Sequence, residues 1–242
     1  MAAQAAPRRP APNARPSPFA WIVGAVFTLV GSILVSLIVG CVTEWVGMHF
    51  WWADEGAGHA YRCLTEDIAY LDGYRRSLIV PDGQALAVEW AVWAGQSAIG
   101  LPALARRSAQ ARAQRATGPQ RIGQALLADV GPYAESAYYV IQDTAVRLAV
   151  VVLALPAFAV AVVVGLTDGL VRRDLRRWSG GRESSAVYHY AKRWLWPAST
   201  LGFTLYLAWP TAGFNPAAAI LPGFAALAAL LSLMAASFKK YL

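Results

Sequence analysis

The chain has 242 residues, 57% hydrophobic and 14% charged, with ten Trp and ten Tyr, and its mean hydropathy is +0.40. A soluble domain carries about a quarter charged residues, so this composition excludes an ordinary soluble globule and indicates a membrane protein. A net charge of +7 would suggest nucleic acid as a partner of a soluble chain, but beside membrane spans basic residues orient helices and attract anionic lipid heads.

Residues 1–18, rich in Ala and Pro with Arg8, Arg9 and Arg15, read as a disordered cytoplasmic tail. Residues 19–42 carry no charge and, at about 1.5 Å per residue, are long enough for a hydrocarbon core about 30 Å thick. This first span exceeds the apolar region of a signal peptide, and no Ala-x-Ala site follows it. Gly24, Gly31, Ser32, Ser36 and Gly40 give it small residues that permit close helix packing.

Beyond it, Trp45, Phe50, Trp51 and Trp52 suit an interfacial belt, and helix continues poorly through Glu55-Gly56-Ala57-Gly58. His49, Glu55 and His59 are metal-ligand types, but their spacing matches neither HExxH nor another closed pattern. They read as aqueous or interfacial side chains, and no metal or other cofactor is expected. Cys41 and Cys63 are too few for a disulfide framework and match no CxxC spacing.

Residues 62–80 read as an amphipathic helix outside the hydrocarbon, ended by the turn at Pro81-Asp82-Gly83. Residues 84–104 are apolar enough to tempt a fifth span yet contain Glu89 and Gln96. The distribution of basic residues arbitrates. With four spans the tail arginines, the seven basic residues of 167–193 and Lys239-Lys240 fall inside. The remaining basic residues then lie in a loop of about a hundred residues, long enough to escape the positive-inside rule. The expected fold is therefore an all-α membrane protein with about four transmembrane helices, a largely helical periplasmic insertion at 43–144, and both termini in the cytoplasm.

Within that insertion, 106–121 reads as a basic, solvated helix end or loop broken at Gly118-Pro119, with helix resuming beyond Pro132. Residues 148–166 form the second span, where Pro156 predicts a kink. The basic cytoplasmic loop at 167–193 follows. There Val171, Leu175 and Trp178 recur at helical spacing with arginines between them, Ser179-Gly180-Gly181 stops the helix, and Ser184-Ser185 starts the next. The third span, 194–212, contains Pro197 and Pro210; Asn215-Pro216 turns the chain into the fourth, 217–238. The residues chosen for binding a partner protein or anionic lipid are Arg172, Arg173, Arg176, Arg177, Trp178, Arg182, Lys192 and Arg193.

DGLVRRDLRRWSGGRESSAVYHYAKR, Asp168–Arg193, and EWVGMHFWW, Glu44–Trp52, resemble the inner-membrane proteins encoded by integrating conjugative elements, which share a domain of unknown function. The resemblance implies a bacterial inner-membrane location and a part in conjugative DNA transfer, alongside a type IV secretion apparatus and its coupling ATPase. It carries over no catalytic residue. The expectation is a non-catalytic accessory or adaptor subunit whose partners are other conjugation membrane proteins, the coupling ATPase among the candidates, with direct nucleic-acid contact the weaker reading. A membrane enzyme or small-solute transporter is the competing class. It would need converging ionisable groups, and no motif joins Asp168, Arg147 and the His49, Glu55, His59 group.

Overall fold

Lipid offers no partner to an unpaired N–H or C=O, so apolar runs of this length are satisfied by helix, which pairs each backbone group within its own segment. The computed structural model describes residues 18–74, 79–98, 100–113, 120–179, 185–207, 209 and 214–238. All regular structure among the described residues is helical: α1 Pro18–Phe50, α2 Gly58–Tyr70 with a 3₁₀ turn at Leu71–Tyr74, α3 Gly83–Ser97, α4 Leu101–Ala113, α5 Gln120–Leu153, α6 Leu155–Trp178, α7 Ser185–Leu207 and α8 Pro216–Ala236.

The helix ends follow local chemistry. α1 meets no breaker at residue 42 and runs on through Glu44 to Phe50, where Trp51 N and Trp52 N both donate to Gly47 O. Gly56, at φ +53°, then turns the chain back into α2, a left-handed conformation that glycine adopts without a Cβ penalty. Asp82 caps α3, its side chain accepting from Ala85 N at 3.0 Å. α3 has 15 residues, roughly 22 Å at about 1.5 Å each, and Gly100 at φ +86° separates it from α4. Residues 84–104 thus form two short helices rather than one membrane-length rod. The expected break at Gly118-Pro119 and the basic residues Arg115 and Arg182 lie outside the described residues. The kink expected from Pro156 is a one-residue break at Ala154, with Pro156 in the first turn of α6. Proline has no N–H to continue the ladder and crowds the turn before it, yet Ala154 N still donates to Val150 O and Phe158 N to Ala154 O across the break.

Two packed regions result. α5 carries α1, α2, α3 and α4 on its sides, and its Val146, Ala149, Val150 and Val151 form a buried stripe against Leu64, Ala87, Ala91 and Leu207. The second region is α6, α7 and α8, with α8 packed against both others. Its contacts are set by glycine. A Cβ on Gly165 would lie 2.5 Å from Ala228 O, and one on Gly169 would lie 2.6 Å from Ser232 O. Gly165 and Gly169 are four residues apart, so they share one face of α6 and let its backbone approach α8 closely. Gly202 of α7 and Gly223 of α8 do the same on the other side.

These contacts also fix direction. α6 and α8 run parallel, since Gly165 meets Ala228 and Gly169 meets Ser232. α7 runs antiparallel to α8, since Gly202 lies near Ala219 and Ala198 near Gly223. α1 runs against α5 and α6: Gly40 sits on Val140, while Thr28 and Ser32 line a groove with Val151 and Leu155. The amino-terminal end of α1 and the carboxyl ends of α6 and α8 therefore lie on one side of the molecule.

Among the described residues, three stretches are long and apolar enough to cross a membrane: Val26–Phe50, Ala128–Trp178 and Pro216–Ala236. α7 is not one of them. It carries Lys192 and Arg193, and from Trp194 its helix ends at Leu207, about 21 Å of rise against the roughly 30 Å of a hydrocarbon core. Of the third span expected at 194–212, residues 208 and 210–212 lie outside the described residues.

Candidate functional site

The segment 167–193 expected as a basic loop is, among the described residues, mostly helix: the last part of α6 and the first part of α7. The arginines of α6 divide by the side of the helix they occupy. Asp168 accepts a hydrogen bond of 2.5 Å from Ser232 Oγ of α8 and pairs with Arg172, one turn on, at 2.9 Å. Arg176 donates to Ala236 O, the final carbonyl of α8, a place where a cation meets the negative end of the helix dipole. Arg173 lies over the Phe238 ring, 5.8 Å from its centroid. Arg173 and Arg176 are therefore committed to holding the end of α8. On the open side Arg177 is exposed, and beside it the apolar stripe is bare: Val171 is 57%, Leu175 64% and Trp178 92% exposed. Lys192 and Arg193 are also exposed, on the separate helix α7.

A second polar assembly sits where α1, α2 and α5 meet. Arg147 Nε lies 3.1 Å from Asp67 Oδ2 and 2.9 Å from Asp143 Oδ2, and its other arm donates to Trp209 O. All three ionisable side chains are buried. A neighbouring polar cavity is lined by Ser36, Glu44, Cys63, Asp143 and Arg147. Behind the lining residues Glu44 and Cys63, His59 Nδ1 lies 2.9 Å from Glu44 Oε1, and Cys63 Sγ lies 3.6 Å from that nitrogen and 3.9 Å from that oxygen.

The structure does not bring His49, Glu55 and His59 together. His49 bonds Trp45 O and the Tyr133 hydroxyl and stacks on the Tyr133 ring. Glu55 pairs with Arg62 at 2.9 Å; this hydrogen bond, and then its charge, raise the Arg62 pKa above the ordinary value. Only His59 turns inward. The sequence reading missed Glu44, Cys63, Asp67 and Asp143 as partners. Two local signals were available, His59 with Cys63 and Asp143 with Arg147, each pair one helical turn apart and hence on one face.

A protein-family model described as IncC plasmid conjugative DNA transfer protein DtrJ-like matches residues 51–239. The chain belongs to the DtrJ-like family. The matched region takes in α2 to α8, and with them the basic end of α6, the Asp67–Asp143–Arg147 assembly, His59 and Cys63. In this DtrJ-like chain Glu44 and the rest of α1 precede the match. The link to conjugation expected from Asp168–Arg193 is thus met by a family described for a plasmid. No curated protein and no solved structure matches the chain.

Proposed function

We propose that this DtrJ-like chain is a non-catalytic inner-membrane subunit of a conjugative, type IV secretion-like DNA transfer apparatus, and that it docks a partner protein through the open side of α6. The observation that carries this reading is the 92% exposure of Trp178 beside Arg177, at the end of a stripe that α8 leaves uncovered. A topogenic charge cluster or a lipid-attracting patch needs only positive charge. An exposed Trp beside an exposed Arg pairs two of the residue types that dominate protein-binding anchors.

Four crossings suit this arrangement. α6 and α8 run parallel, and a chain that crosses in both must return between them, which is the course of α7. The amino terminus, the 167–193 segment and the carboxyl terminus then share a face, and the weight of Arg and Lys there favours the cytoplasm. Association with an integrating element, and the coupling ATPase as partner, belong to the same reading.

The test pairs position with function. Ser179→Cys, adjacent to the stripe, is expected to be shielded from an impermeant thiol reagent in intact cells and labelled after permeabilisation, above the background of the parent chain. Trp178→Ala is expected to lower conjugative transfer at least about tenfold at unchanged protein level, as loss of a central anchor does. Arg177→Lys should also lower it, because an ammonium cannot copy bidentate guanidinium contacts. Labelling of Ser179→Cys in intact cells, or normal transfer by both other variants, overturns the reading. Recovery of nucleic acid rather than protein with the chain, in a salt-sensitive manner, would replace it by direct DNA contact.

A further inference from the structure

Glu44, His59 and Cys63 are the group among the described residues in which three potential metal ligands converge, with all ligating atoms within 4.8 Å of one another. We propose that these three side chains form a zinc site that pins α2 to the end of α1. In a tetrahedral zinc site, bonds of about 2.0–2.3 Å place a nitrogen and a sulfur about 3.6 Å apart, and an oxygen and a nitrogen about 3.3 Å apart. The corresponding distances are 3.6 Å from His59 Nδ1 to Cys63 Sγ and 2.9 and 3.2 Å from His59 Nδ1 to the two Glu44 oxygens. An ion can enter with shifts of a few tenths of an ångström.

The surroundings are built for a held ligand rather than a loose surface pair. His59 and Cys63 are one turn apart, so α2 presents both from one face. The Trp52 ring stacks on His59 at 3.8 Å and 10°, fixing the imidazole with Nδ1 toward Glu44. Trp52 Nε1 is buried and interacts with the Glu44 carboxylate. Glu44 and His59 side chains are 4% and 15% exposed. In so dry a place a carboxylate and a thiolate together balance a divalent charge, and the imidazole binds neutral. The donor set decides the metal class. One sulfur, one nitrogen and one oxygen suit zinc, whereas calcium and magnesium take oxygen. Three protein ligands leave a fourth position, and the cavity that Glu44 and Cys63 line gives room for a non-protein ligand.

The full chain, purified in detergent and stripped with a chelator, is to be titrated with Zn2+ against a chromophoric competitor, and separately with Co2+. One equivalent of zinc per chain is expected, with thiolate-to-cobalt charge-transfer absorption. Cys63→Ser and His59→Gln should each weaken zinc binding at least about tenfold, since even outer-shell changes cost that much, while Cys41→Ser should not. Zinc should raise the unfolding midpoint of the parent chain and leave that of Cys63→Ser unmoved. If the variants do not fold, the cobalt spectrum of the parent chain decides alone. Absence of stoichiometric binding, a cobalt spectrum without thiolate absorption, or binding that survives both ligand substitutions overturns the site and leaves a Glu44–His59 hydrogen bond.

Discussion

The α1–α2–α5 junction and the α6–α7–α8 bundle solve the same problem, holding helices together where apolar surface is plentiful, by opposite means. The junction uses directional groups: Arg147 reaches Asp67, Asp143 and a main-chain carbonyl at once. The bundle uses shape. Gly165, Gly169, Gly202 and Gly223 let backbones come together where any side chain would intrude. Lipid tails give no hydrophobic advantage to helix contact, so close fit is what remains. A junction of charges is all-or-nothing, because removing one member strands the others in a dry interior. A glycine seam instead fails in proportion to the volume added.

Arg147→Ala is the largest expected break. Asp67 and Asp143 would be left buried without their cation, at a cost of about 3–5 kcal/mol read from thermal unfolding in detergent. Replacing the set together, Asp67→Asn, Asp143→Asn and Arg147→Met, should recover most of that loss. A single Arg147→Ala variant as stable as the parent would show that the junction is not held by charge. Gly169→Leu comes next, at about 1–3 kcal/mol, since even its Cβ would sit 2.6 Å from Ser232 O and 2.7 Å from Ala235 Cβ. Gly24→Leu, with no atom within 4 Å of the new Cβ, is the control and should leave stability unchanged. Equal effects from the two would remove the seam as the bundle's basis. Ser232→Ala should be the smallest, because the one hydrogen bond it loses, to Asp168, is partly open to solvent. A larger loss in the same unfolding measurement would mean that the bundle, too, depends on polar contacts.

The bundle was the more legible half. Uncharged runs announce spans, and Pro156 announces a disturbance in the helix that holds it; outside the bundle, Gly56 and Asp82 mark turns by residue type alone. The junction was not legible, because its pairs are remote in the chain. Asp67 and Arg147 are 80 residues apart, and Glu44 meets His59 only because α1 outlasts its apolar stretch and the chain doubles back at Gly56. The docking candidates fell between these cases. Spacing put Arg172, Arg173, Arg176 and Arg177 on α6 beside an apolar stripe, but only the position of the α8 end separates the arginines that hold Phe238 and Ala236 from the one left outside. Residues 84–104 break into two short helices between Ser97 and Leu101, around the left-handed Gly100, a feature no hydropathy average registers.

Because main-chain hydrogen bonds bridge Ala154, α5 and α6 make one strut with a joint rather than two separate rods. α6 alone, at about 1.5 Å per residue, is a lever arm of about 36 Å. A tilt of about 5° at the joint would carry its outer tip about 3 Å. The glycine contacts mean that such a tilt cannot be made by α6 alone, so α8 must travel with it, and the unit that a partner gripping Trp178 would swing is the whole bundle.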